Sequence, residues 1–183
     1  MSLLGDAVSL PLALRGVNNM WIGYLSTPLM GAGFLLGMAS WQATEVERLA
    51  VRLAVPAYLV VWTGLVLFTE DVKGFSRFAM PLHSLIILAV AIWTLMRRGL
   101  DPMQGGLLRT DWFWIVGGVA LYGAATATFE PVAAGLMTSR PDLVIAALNL
   151  KQGLYLVAFL AMTWGMLCPV KPFGASSSSP RSA

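Results

Sequence analysis

Charged residues fall in clusters along this chain, and five long apolar windows separate them. No Asp, Glu, Lys or Arg occurs in residues 16–44, whose apolar part runs from Trp21 to Trp41, or in residues 53–69, 78–96, 112–129 and 152–170. A helix rising about 1.5 Å per residue needs about 20 residues to cross a hydrocarbon core of about 30 Å, and each window reaches or nearly reaches that length. The second window is the shortest and borrows Leu49 and Ala50, because Arg52 can snorkel to the headgroups. Lipid offers no hydrogen-bond partners, so the backbone of each window must satisfy itself as a helix. A β-barrel would show short alternating strands, whereas these windows are apolar on all sides. The pattern predicts an all-α, polytopic transmembrane bundle of five helices at residues 20–41, 50–69, 78–96, 112–137 and 142–168. Trp21 and Trp41 bracket the first span, and Trp112 and Trp114 open the fourth, at the boundary where indole rings gather.

Composition agrees. The 183 residues are 57% hydrophobic and only 11% charged, against about 25% charged in soluble domains. Too little polar surface remains to coat a globule in water, so the lipid bilayer is the first expected partner. The net charge of +3 is small, and no basic run is dense enough for nucleic acid. Cys168 is the sole cysteine, which excludes an intrachain disulfide and any Cys/His zinc spacing. No cofactor-binding motif is present, and neither a cofactor nor a metal is expected. Residues 1–16 lack the early basic charge of a cleaved signal and read as an interfacial lead-in. Residues 169–183 read as a disordered cytoplasmic tail.

Five spans put Arg48, Arg52, Arg97, Arg98, Arg109, Lys171 and Arg181 on one side, and Arg15, Lys73, Arg77 and Arg140 on the other. The richer side is expected to be cytoplasmic. The N-terminus is then outside and the C-terminus inside, in a multi-pass protein of the inner (plasma) membrane.

Glu130 and Lys151 are the most informative charges. If the last two helices turn between Arg140 and Pro141, both residues lie equally far from the turn and meet at matched depth. Two readings are open: a buried ion pair, each charge requiring the other, or an interfacial pair beneath a helical excursion. Val132 to Met137 and Leu143 to Leu148 are apolar for a solvated excursion. On the same outer half lie Asn18, Asn19, Tyr24, Ser26, Thr27, Thr63, His83, Ser84, Thr126, Thr128, Asn149 and Gln152. They suggest a polar pocket with the ion pair at its floor. The blander reading is that they hydrogen-bond neighbouring helices. His83, just inside the third span, reads as interfacial rather than as a proton relay. Gly33 and Gly37 form a GxxxG on the first helix, and Ala120 and Ala124 a small-residue face on the fourth. Such faces pack within a bundle or against another subunit. Pro28, Pro56 and Pro131 are expected to kink or end helices.

The Asn18-Asn19-Met20-Trp21 lead, the Phe113-Trp114-Ile115-Val116-Gly117-Gly118 stretch through Leu121-Tyr122, and the Asn149 region resemble a group of uncharacterised bacterial multi-pass membrane proteins. In that group Asn-Asn-x-Trp is followed by Tyr-His and later a Glu, where this chain has Gly23-Tyr24 and no acid in that helix. The resemblance implies a helical bundle and no particular activity. No Walker loop, HExxH, GxSxG or paired carboxylates within a span point to catalysis. The leading expectation is a non-enzymatic sensor-type or accessory component that binds a partner subunit, a second copy or a small ligand through its outer half. The alternative is a small-solute or proton-coupled transporter using Glu130 and Lys151. A lipid-active membrane enzyme ranks third.

Overall fold

The computed structural model describes residues 11–12, 15, 20–70, 76, 78–99, 108 and 110–168. Five helices follow one another: α1 (Met20–Ser40), α2 (Glu45–Thr69), α3 (Ala79–Gly99), α4 (Asp111–Ser139) and α5 (Pro141–Leu167). All five are long and apolar enough to cross a membrane. Most of the lead-in, Asn18, Asn19 and the tail lie outside the described residues.

Each window became a helix because nothing else satisfies its backbone in lipid. The bounds differ most at α2, which begins at Glu45 rather than near residue 50. Thr44 is its N-cap. The Thr44 side chain accepts the Glu47 amide at 3.2 Å, and the Glu47 carboxylate accepts the Thr44 amide at 3.2 Å. This reciprocal capping box starts the helix five residues early. Glu45 and Glu47 therefore stand in the first turn of α2, where negative charge suits the helix dipole. Pro28, Pro56 and Pro131 all lie inside helices, and none ends one.

Successive helices run in opposite directions. Contacts across the bundle show it: Tyr24 meets Glu70, and Gln42 meets Thr94. Glu47 meets Arg97, and Glu130 meets Lys151. The bundle thus has a Glu70 end and a Glu47 end. The helices α4 and α5 form a long hairpin whose turn is the single residue Arg140. Pro141 begins α5 at the position where its missing N–H is harmless. The helix α3 packs against α4 on one side and against α1 and α2 on the other.

Close packing is set by glycines other than the predicted pair. A Cβ on Gly118 would come 2.6 Å from the Ala158 carbonyl oxygen of α5, and one on Gly165 would come 2.8 Å from the Asp111 carbonyl oxygen of α4. Gly123 stands near the backbone of α3, less tightly, with Ser84 O 3.2 Å from where its Cβ would be. Gly33 and Gly37 meet nothing within 4 Å. Among the described residues, then, no other helix approaches the GxxxG face closely.

The Glu47 end is tied by charge and amide bonds. Arg97 pairs with Glu47 at 2.6 Å and covers the Trp93 ring. Gln42 donates to Thr94 at 2.8 Å and to the Met38 carbonyl at 3.1 Å. Arg98 donates to the Trp41 carbonyl and lies over the Trp112 ring. Trp112 is consequently buried rather than set in a lipid-facing belt.

Candidate functional site

The ion pair is formed. Lys151 of α5 donates to Glu130 of α4, and the two side chains are 10% and 13% exposed. Protein encloses them, because α4 and α5 both continue to the Arg140 turn. The Lys151 ammonium also lies 5.2 Å from the centre of the Tyr155 ring, a favourable placement for a cation over an aromatic face. The Tyr155 hydroxyl shares a 2.7 Å hydrogen bond with Thr126, and its ring packs at a tilt against Tyr122 with centroids 4.7 Å apart. Thr126 in turn donates to the Tyr122 carbonyl at 2.9 Å. Two unlike charges and three hydroxyl-bearing side chains thus form one packed cluster within the hairpin.

A second polar cluster belongs to α1, α2 and α3. His83 lies in the second turn of α3, near the end of its span as expected. It is only 1% exposed, however, so helices and not headgroups surround it. Its Nδ1 and the Tyr58 hydroxyl are 2.8 Å apart, and the Trp62 ring meets it edge-on with centroids 5.8 Å apart. Gly31 of α1 makes room. A Cβ there would come 2.6 Å from His83 Cε1 and 2.8 Å from the Tyr58 hydroxyl. The other ring nitrogen, Nε2, is buried without a hydrogen-bond partner. Ser84, beside it, donates to the Met80 carbonyl at 2.9 Å. Thr27 is buried on α1 in the turn that precedes Gly31.

Tyr24 joins this cluster to the helix ends. Its hydroxyl lies 3.4 Å from Glu70, and its carbonyl accepts the Trp62 indole N–H at 3.3 Å. Glu70 caps α3. Its Oε1 accepts the amides of Phe78 and Ala79, each at 2.7 Å, and the Ser76 hydroxyl at 2.9 Å. An anion at a helix start satisfies orphan N–H groups and suits the dipole. The signal was faint: an acid placed eight or nine residues before the amides it accepts has no fixed capping spacing.

The expected single pocket is not what forms. Tyr24, Thr27 and His83 are drawn into the α1–α2–α3 packing, and Glu130 and Lys151 into the hairpin. Asn149 and Gln152 face away from both, exposed on the outer surface of α5. At 100° per residue a helix that turns Lys151 inward turns Asn149 and Gln152 outward. Thr63 and Thr128 are exposed as well. A shallow groove of about 420 Å³ lies elsewhere, on the outward face of α2, lined by Leu59, Val60, Thr63, Gly64 and Leu67. Among the described residues no three His, Cys, Asp or Glu side chains converge as a metal site would require.

Compared with protein-family models, with curated proteins and with solved structures, the chain matches none.

Proposed function

We propose that this protein is a non-enzymatic membrane component, of sensor or accessory type, that recognises a small polar ligand or a partner subunit through the Glu70 end of its bundle. The single observation that supports the ligand reading most is His83. A buried imidazole nitrogen with unspent hydrogen-bonding capacity is uncommon in a packed bundle and costs free energy unless something uses it. Tyr58 orients the ring from its other nitrogen, and Gly31, lacking a Cβ, lets α1 close over both side chains. A small molecule with a donor or acceptor group is the chemistry that fits. The protein is tested in mild detergent by thermal unfolding against a panel of small polar metabolites. A ligand should raise the melting temperature of the native chain and fail to raise that of His83→Phe. No ligand-dependent stabilisation, together with purification as a lone monomer, would remove the basis for this role.

The Lys and Arg balance supports an outward-facing Glu70 end with the C-terminus inside. The resemblance to bacterial multi-pass proteins supports the inner membrane as its location.

The second reading is a proton-coupled or small-solute transporter. It is favoured by one observation, the enclosed Glu130–Lys151 pair, because ionisable residues within spans often mark transport paths. Glu130-dependent flux in liposomes would favour it over the first reading.

A further inference from the structure

Among the described residues the Glu47 end of the bundle holds Arg48, Arg52, Arg97 and Arg98, and all but one have a partner within the chain. Arg97 pairs with Glu47, Arg98 donates to the Trp41 carbonyl and covers the Trp112 ring, and Arg48 pairs with Glu45 at 2.7 Å. Arg52 is exposed and has no such partner among the described residues. Its place makes that costly. It lies about 7 Å further along α2 than Glu47, by the rise of a helix. Leu49 and Leu53 beside it are exposed as well, while Val51 and Val55 turn into the bundle. The Arg52 stem thus emerges on a lipid-facing surface, where an unpaired charge costs free energy. Helical side chains lean toward the helix N-terminus, so Arg52 leans over Arg48, one turn nearer the Glu47 end. Two like charges at i and i+4 repel each other. Arg48 adds an Nε–H that is buried without a hydrogen-bond partner. Two neighbouring guanidinium groups with N–H groups to spare call for an anion.

We propose that Arg48 and Arg52 hold the phosphate of an anionic phospholipid whose acyl chain runs down the outward face of α2. The groove of about 420 Å³ on that face begins two turns deeper. Its Leu59, Val60 and Thr63 stand seven, eight and eleven residues after Arg52, the spacing of a single helical face. Guanidinium groups above and an apolar groove below match the two halves of a lipid, and a free inorganic anion has only the first. The lipid is anionic because the ammonium of a zwitterionic headgroup would bring a cation back to two arginines. The Lys and Arg balance supports the same choice, since it favours the cytoplasmic leaflet for this end, where anionic lipids gather. The site lies at the opposite end of the bundle from His83 and does not depend on a ligand there.

The test titrates the delipidated native chain in mild detergent with phosphatidylglycerol, with phosphatidylcholine of the same acyl chains, and with inorganic phosphate. Native mass spectrometry reads the bound lipid, and thermal unfolding reads the stabilisation. Phosphatidylglycerol should bind about tenfold tighter than phosphatidylcholine and raise the melting temperature, as charge-assisted hydrogen bonds to its phosphate would. Inorganic phosphate should leave the melting temperature where it was. Arg52→Gln should abolish most of the preference for the anionic lipid. Arg52→Lys should keep only part of it, because an ammonium retains the charge but not the planar fork. Arg140→Gln, at the other end of the bundle, should keep it whole. If Arg52→Gln does not accumulate, the native chain and Arg52→Lys decide. Equal binding of the two lipids, or stabilisation by inorganic phosphate as great as by the lipid, overturns the proposal. So does a preference that Arg52→Gln leaves intact, that Arg52→Lys retains in full, or that Arg140→Gln removes equally.

Discussion

Lys151 of α5 donates to Glu130 of α4 across a hairpin whose turn is one residue long, and neither side chain has significant access to solvent. Breaking one partner of such a pair leaves the other charged and buried, a loss of about 3–5 kcal/mol. Glu130→Gln and Lys151→Met should therefore each lower stability strongly, while the double substitution should cost far less than their sum. Thermal or denaturant unfolding in detergent measures the coupling directly. Strictly additive losses would show that the two side chains do not depend on each other.

The cap on α3 gives a second expectation. Glu70 Oε1 receives two backbone amides and the Ser76 hydroxyl, so Glu70→Ala orphans the first N–H groups of the helix. Hydrogen bonds to a charged acceptor contribute about 1.5–3 kcal/mol each when lost at a partly buried site. Glu70→Gln keeps an acceptor oxygen and should recover part of that loss. Amide hydrogen exchange at the start of α3 should accelerate in Glu70→Ala more than at the start of α2, whose own capping box is intact.

These two cases show what could be read from the chain and what could not. The five spans were legible because each charge costs so much in hydrocarbon that the charges themselves mark the borders. The Glu130–Lys151 pairing was legible because an antiparallel hairpin fixes depth by counting from its turn. The Thr44–Glu47 capping box was also legible in the chain, as a threonine followed three residues later by a glutamate. The facing of each helix was not legible. In a soluble bundle polar residues mark the outward side, but in lipid both sides are apolar. Asn149 and Gln152 therefore carried no sign of pointing outward, nor Gly33 and Gly37 of having no close neighbour among the described residues. Glu70 was hidden for a different reason, since its cap depends on how the chain returns between α2 and α3.

Glycine substitutions separate the two kinds of small residue. Gly118→Ala would drive a methyl to 2.6 Å from the Ala158 carbonyl oxygen, which is backbone and cannot swing aside. Such overpacking costs about 1–3 kcal/mol as helices shift apart. Gly33→Ala has open space and gains helix propensity of about 0.5–1 kcal/mol. Melting temperatures of the monomeric forms should fall for Gly118→Ala and hold or rise for Gly33→Ala. The reverse order would mean that the GxxxG, not Gly118, sets the close approach of helices.

Tyr58 and His83 supply the last expectation. The 2.8 Å bond between the Tyr58 hydroxyl and His83 Nδ1 is the only hydrogen bond made by that ring among the described residues, because Nε2 has none. Tyr58→Phe keeps the aromatic packing against Trp62 and removes the hydroxyl, leaving both ring nitrogens buried and unpaired. Orphaning a buried polar group costs about 1–3 kcal/mol. His83→Phe removes the need for a partner along with the ring nitrogens, so adding Tyr58→Phe to it should cost little beyond the loss of the phenol's own bond. A stability cycle over the four chains checks this. If Tyr58→Phe is as costly in the His83→Phe background as in the native chain, the hydroxyl serves some other group, and the imidazole is not oriented from α2.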